Sequence, residues 1–216
     1  QDKEYHPEGD VWVHTLMCLD EMVRLKTGDE YKDLYLMLAI LCHDLGKPNT
    51  SEIRNGRITS YNHEQEGIKP TIEFLKLLTN EKKLIEKIIP LVQYHLAPFQ
   101  LYLHNSSLKA VKRLAMKVNI EELCLVCLAD CRGRTIPDKD KCDKAVEWLL
   151  KNALELNVHN EQMQAHILGR DLITLGFKPG PLFKEILEYT YELQIENESY
   201  TKENLLKIIN NKFKDK

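Results

Sequence analysis

The feature that most constrains this chain is the segment 34–42, LYLMLAILC, which is apolar on every side and runs straight into His43 and Asp44. A helix with no polar face belongs at the centre of a helical domain, and Gly46 and Pro48 end it. A carboxylate buried at its end costs on the order of several kcal/mol unless something compensates it. Three more polar residues share the predicament. His14 lies in line with Met17 and Cys18, and His95 shares a helical face with Ile88, Leu91 and Val92. Asp130 follows Leu123, Val126 and Cys127 by seven, four and three residues. Each of these faces points inward.

The rest of the sequence reads as helix after helix. Nine glycines and eight prolines in 216 residues fall below the usual ~12%, so turns are few and long helices are favoured over a sandwich or barrel. The pattern predicts helices over 10–26, 31–45, 63–79, 81–96 (bent at Pro90 and stopped before Pro98), 107–118, 120–132 and 140–157. Residues 48–62 form a polar loop with a candidate hairpin at Asn55-Gly56, and a second loop holds Pro137. A smaller unit follows, with helices near 169–175, 181–195 and 201–213 and a stiff Pro179-Gly180-Pro181 turn. The expected architecture is all-α, with one domain over residues 1–160 and a helical extension over 161–216. No internal repeat or low-complexity stretch is present.

A net charge of −3 gives no overall basic field for nucleic acid or membrane. No apolar run nears the ~20 residues that span a bilayer, and QDKEYHPEGD is unlike a signal peptide. Cytoplasmic location is therefore expected, with the six cysteines as reduced thiols. Cys124, Cys127 and Cys131 fall on one helical stripe among Leu and Val, and read as small core hydrophobes, not cluster ligands. Lys109, Lys112, Arg113 and Lys117 line another helix face. They form either a solvated surface or a track for an RNA backbone. His6, His104, His159 and His166 lie in or beside polar stretches and read as bystanders.

Two carboxylates and several imidazoles directed at one interior have the composition of a divalent-metal site, in which the ion makes their burial tolerable. Such a donor set suits Mn, Fe, Co, Ni, Zn or Mg. The sequence resembles the HD superfamily of metal-dependent phosphohydrolases on these residues: His14, the doublet His43-Asp44 in HDLGK, and Asp130. That superfamily is all-helical. The resemblance implies a first metal held by His14, His43, Asp44 and Asp130. His63 and His95 stand where dinuclear members carry extra histidines, with Asp44 then bridging two ions. A single ion, with His63 and His95 meeting phosphate, is the alternative.

The stretches HPEGDVWVHT (6–15), LCHDLGKP (41–48), SYNHEQEG (60–67), LADCRGR (128–134) and GRDLITLGFKPGP (169–181) narrow the likeness. They resemble, in order, the C-terminal HD region of bacterial CCA-adding tRNA nucleotidyltransferases. Those enzymes also carry a nucleotidyltransferase head with a Gly-rich segment and an Asp-x-Asp pair. Here the one such pattern is Asp138-Lys139-Asp140 in a polar loop, so no nucleotide addition is expected of these 216 residues. The expected activity is hydrolysis of phosphomono- or phosphodiesters. By resemblance, nucleotides such as 2′,3′-cyclic phosphates and 2′-nucleotides head the substrates. A metal lowers the pKa of water and polarises a phosphoryl oxygen. Asp44 and Lys47 are the candidate catalytic residues, and Lys47, Arg132 and Arg134 the candidate phosphate contacts. The competing reading is a non-catalytic tRNA-binding body with a structural metal.

Overall fold

The computed structural model describes residues 7–135, 140–197 and 199–214. His6, the loop at Pro137 and residues Asp138 and Lys139 lie outside that set. The described chain is all-α apart from one small hairpin.

Helix α1 (Val11–Arg24) starts at Asp10, whose carboxylate accepts from the free N–H groups of Trp12 and Val13. Asp29 caps α2 (Glu30–Cys42) in the same way through Lys32 N. α2 packs against α1 and, further along the chain, against the helices at 82–93 and 120–132. It buries Tyr35, Leu36, Ala39, Ile40 and Cys42. It is therefore central, although Leu34 at its open end remains exposed. The helix stops at Cys42, one turn short of the predicted 45, and His43 and Asp44 form its C-terminal turn.

A short α3 (Lys47–Thr50) leads to the antiparallel pair β1 (Glu52–Arg54) and β2 (Arg57–Thr59), in which Ile53 faces Ile58. Asn55 and Gly56 at the turn have φ of 50° and 77°. Two left-handed residues match the twist of a hairpin, so the predicted hairpin is present. The helix predicted over 63–79 is instead two, α4 (His63–Glu66) and α5 (Ile68–Leu78), divided at Gly67. The division lies where two backbone segments touch: a Cβ on Gly46 would fall 2.0 Å from the His63 carbonyl oxygen and 2.6 Å from Gly67 N.

Pro90 lies within α6 (Lys82–Gln93), which ends earlier than predicted. Pro98 does not stop a helix. It occupies the first turn of an unpredicted α7 (Ala97–Leu103), where its missing N–H has no intrahelical partner to lose. α8 (Leu108–Ala115), α9 (Ile120–Arg132) and α10 (Asp140–Glu155) follow. α9 is packed between α1 and α10. The first core draws its buried residues from Cys18 to Val158.

The end of the chain builds its own core from Ile167, Leu172, Ile186, Leu205, Ile209 and Phe213. These belong to α11 (Gly169–Thr174), α12 (Pro181–Glu196), α13 (Lys202–Phe213) and the residues before them. α12 lies against α8, and the basic face of α8 is engaged there. Lys109 Nζ donates to Glu196 at 3.0 Å, and Lys112 Nζ to the Ile195 carbonyl at 3.5 Å. Arg113 forks onto both Glu192 oxygens at 2.9 and 2.5 Å. Lys109, Lys112 and Arg113 thus form a solvated docking face for α12, with Lys109 and Arg113 about half exposed, while Lys117 lies over the Tyr94 ring. Arg113 and Glu192 are each 45% exposed in their side chains, so solvent screens the pair. Arg113→Ala should cost only about 1 kcal/mol in urea unfolding while raising hydrogen exchange across 181–196.

The cysteines differ from expectation at one point. Cys131, at the end of α9, and Cys142, at the start of α10, are joined as a disulfide. Their Cα atoms are 6.4 Å apart, within bonding range. Cys18, Cys42, Cys124 and Cys127 are buried free thiols, and burial pushes Cys42 and Cys127 up to about 12.

Candidate metal centre

Four histidines and two aspartates from separate elements meet at the inner end of α2. α1 supplies His14, the α2 C-terminal turn His43 and Asp44, α4 His63, the turn after α6 His95, and α9 Asp130. All are buried. Their polar atoms fall into two groups, each with members within 4.8 Å of one another. One group is His14, Cys18, His43 and Asp130; the other is Asp44, His63 and His95.

Asp44 faces both groups. Its Oδ2 lies 3.3 Å from His43 Nε2 and 3.8 Å from His14 Nε2, while Oδ1 lies 3.3 Å from His63 Nε2. Asp130 Oδ1 is 3.1 Å from His14 Nε2 and 3.8 Å from His43 Nε2. His63 Nε2 and His95 Nε2 stand 3.4 Å apart. One carboxylate with an oxygen toward each cluster has the arrangement of a bridging ligand.

The outer nitrogens of the rings fix their chemistry. His43, His63 and His95 donate Nδ1–H to the carbonyls of Ile40, Ser60 and Val92 at 2.7, 2.8 and 2.7 Å. A carbonyl only accepts, so in the neutral ring the proton sits on Nδ1 and the Nε2 lone pair points inward. His14 Nδ1 lies 3.1 Å from Glu8 Oε1 and 3.3 Å from the Gly133 carbonyl. The result is a pocket of inward lone pairs. His43 Nε2 and Asp44 Oδ2 have no hydrogen bond of acceptable geometry among the described residues. This nitrogen and oxygen donor set fits one or two divalent cations.

The protonation tendencies agree. Burial opposes charge on His43, but Asp44 and Asp130 outweigh it and hold the ring above its ordinary pKa. The same carboxylates draw a cation to this point, so a proton on His43 Nε2 and a metal ion compete for it. Burial, reinforced by the neighbouring His43, drops His95 to about 3, which keeps it neutral and able to ligate. Burial raises Asp44 and Asp130, yet His43, His63 and Lys47 around the first, and Arg134 and His14 around the second, bring both well below the carboxylate range.

Charge compensation differs from the sequence argument, which assigned it to a metal alone. Lys47 Nζ sits 2.6 Å from Asp44 Oδ2, and Arg134 binds both Asp130 oxygens at 2.8 and 2.7 Å. These two cations already balance the two carboxylates. Among the described residues the Nε2 atoms of His43, His63 and His95 face one another and the two carboxylates, and that acceptor set is what suits a cation.

A cavity of about 430 Å³ opens onto this cluster and is lined by Asp44, Lys47, His63, His95 and Arg134. Of the two arginines expected to meet phosphate, Arg134 lines it and Arg132 does not. Arg132 pairs instead with Asp143 at 2.7 Å, because α9 turns it toward α10. Sequence reasoning missed Cys18, which shares the first group, and Glu8, whose side chain is buried against His14. Glu8 also accepts from Thr135 Oγ1 at 3.1 Å, so it ties the α1 histidine to the chain just past Arg134. The only signal for Glu8 was its place in HPEGD, six residues before His14. Glu8→Gln should lower metal affinity by about ten- to a hundredfold, the usual cost of losing a carboxylate behind a ligating imidazole. Calorimetric metal titration reads this directly.

Comparison with known proteins agrees with this geometry. The HD domain family matches residues 11–134. The chain is 34% identical over 175 residues to the "Multifunctional CCA protein" of Mannheimia succiniciproducens, covering 72% of this chain and 38% of that protein. The protein of the same name from Pasteurella multocida is 30% identical over 192 residues, covering 85% and 42%. The chain thus spans about two fifths of the length of these relatives. No solved structure matches it, and no helix among the described residues is long and apolar enough to cross a membrane. With its histidines and aspartates gathered inside the matched span, the chain belongs to the HD domain family.

Proposed function

We propose that this chain is a metal-dependent phosphohydrolase acting on phosphomono- or phosphodiesters, with nucleotides as its substrate class. The observation that carries the reading is the open cavity over the cluster. A structural metal is enclosed by protein ligands, whereas a catalytic one needs an accessible face. In this reading His14, His43, Asp44 and Asp130 hold one ion, and Asp44, His63 and His95 hold a second. A bound divalent cation supplies Lewis acidity toward a phosphoryl oxygen and a lowered pKa for water.

The chain's own residues do the rest. Asp44 offers one oxygen to each ligand group and fixes their separation. Lys47 and Arg134 line the cavity beside the cluster, where they meet the charge of an incoming phosphate. The carbonyl-anchored histidines keep their tautomers without reorganising. The residues of 1–160 carry this site, and we assign 161–216 to a separate helical extension with its own core.

The rival reading, a tRNA-binding body with a structural metal, is supported by the names of the relatives. Against it, three of the four cations of the α8 stripe, Lys109, Lys112 and Arg113, are paired with α12. The test is hydrolysis of 2′,3′-cyclic and 2′-phosphate nucleotides with Mg²⁺, Mn²⁺, Co²⁺, Ni²⁺ or Zn²⁺. Turnover that requires an added cation supports the proposal. Absence of turnover with every cation, in protein that binds metal, overturns it.

A further inference from the structure

The cavity has two chemistries. Its floor is the cluster with Lys47 and Arg134; part of its wall is Ile58, Tyr61 and Leu96. Tyr61 is 65% exposed, a large aromatic surface left open where a ligand enters. The Arg54 guanidinium lies over one face of the ring, 4.9 Å from its centroid, a cation–π contact worth about 0.5–1 kcal/mol at an exposed site.

The backbone beneath the ring is fixed. Asn62 adopts the left-handed region with φ of 65°, and His63 Nδ1 is bonded back to the Ser60 carbonyl. Tyr61 is thereby pinned two residues, at most about 7 Å of chain, from a histidine of the cluster. The hairpin that carries Arg54 and Ile58 is exposed along most of its length, so this wall has room for a ligand to lie against it.

We propose that Tyr61 is the platform on which the base of a nucleotide stacks while its phosphate lies at the cluster. The proposal rests on the phosphohydrolase reading for the phosphate end and on the exposed ring for the base end. Inorganic or small alkyl phosphates use the floor alone; a flat heterocycle adds the wall. Stacking uses the π-face that every base has, so the site discriminates nucleotides from simple phosphate esters more than one base from another. Tyr61 acts on substrate binding and not on the chemical step.

The experiment compares wild type, Tyr61→Ala and Tyr61→Phe, loaded with Mn²⁺, on adenosine 2′-monophosphate and glycerol 2-phosphate. Binding of unphosphorylated adenosine, which cannot be hydrolysed, is followed by ligand-observed NMR. The expected result is a KM for the nucleotide raised about tenfold in Tyr61→Ala, with kcat within about twofold of wild type. Glycerol 2-phosphate kinetics should not change, and Tyr61→Phe should behave as wild type. Adenosine binding should weaken in Tyr61→Ala alone.

Equal effects of Tyr61→Ala on both phosphates, or unchanged nucleotide KM and adenosine binding, overturn the inference and leave the hydrolase reading intact. Tyr61-dependent adenosine binding sustains the platform even if neither phosphate is turned over, and the hydrolase reading then falls if 2′,3′-cyclic nucleotides and the other cations also give no turnover. No adenosine binding, with no turnover under any of those conditions, sinks both.

Discussion

Asp44→Asn should reduce phosphohydrolysis by at least about a thousandfold, the scale seen when a group that acts in the transition state is lost. The variant removes the one carboxylate that faces both ligand groups, with Oδ2 toward His43 and Oδ1 toward His63. It also strips Lys47 of its buried partner, held at 2.6 Å. Breaking one side of a buried pair costs about 3–5 kcal/mol, so lost activity alone would be ambiguous. The double variant Asp44→Asn/Lys47→Met removes the charge on both sides. Urea unfolding should show the double variant recovering most of the stability, while metal binding, to which Lys47 contributes no ligand, stays lost in calorimetric titration. If metal binding returns along with stability, Asp44 serves the fold and not the metal site.

Gly46→Ala should be among the most damaging single substitutions, at roughly 3 kcal/mol or more in denaturant unfolding. The reason is not backbone conformation, since Gly46 has an ordinary helical φ of −81°. The added Cβ would fall 2.0 Å from the His63 carbonyl oxygen and 2.6 Å from Gly67 N. Both are backbone atoms that cannot rotate aside. The strain moves α4 away from the end of α2, drawing His63 off Asp44, so affinity for the second ion should fall before that for the first. Gly176→Ala is the contrasting case: φ is +90° but nothing lies within 4 Å of the new Cβ. It should cost about 1–2 kcal/mol without touching metal binding. Equal losses from both would contradict the close-approach argument.

The residues that meet at the centre were legible because burial and polarity conflicted along single helices. His14 on the inner face of α1, His43 and Asp44 after an apolar run, and Asp130 inside LCLVCLADC each stand out one at a time. Their convergence was not legible. It depends on how α1, α2, α6 and α9 pack, and that long-range information reached the sequence argument only through the family resemblance. Charge compensation was misjudged for a different reason: Lys47 and Arg134 follow Asp44 and Asp130 by three and four residues, a local spacing that signals both ion pairs, but the two cations were read toward phosphate instead.

Long helices with clean stripes, α9 above all, were placed well. The errors cluster around Gly67 and Pro98, where a backbone contact or a helix start replaced the expected continuation or stop. The basic face of α8 shows the same limit: a stripe of cations indicates an acidic partner but not which one, and here Glu192 and Glu196 of α12 fill the role.

The account depends on a cation lying among these side chains. The most direct test is anomalous diffraction from crystals of the chain grown with Mn²⁺. The expected result is a peak at bonding distance from His14, His43, Asp44 and Asp130, with a second between Asp44, His63 and His95 at higher Mn²⁺. An empty map at full Mn²⁺, with Lys47 and Arg134 still closed on their carboxylates, would show that the cluster is complete without an ion.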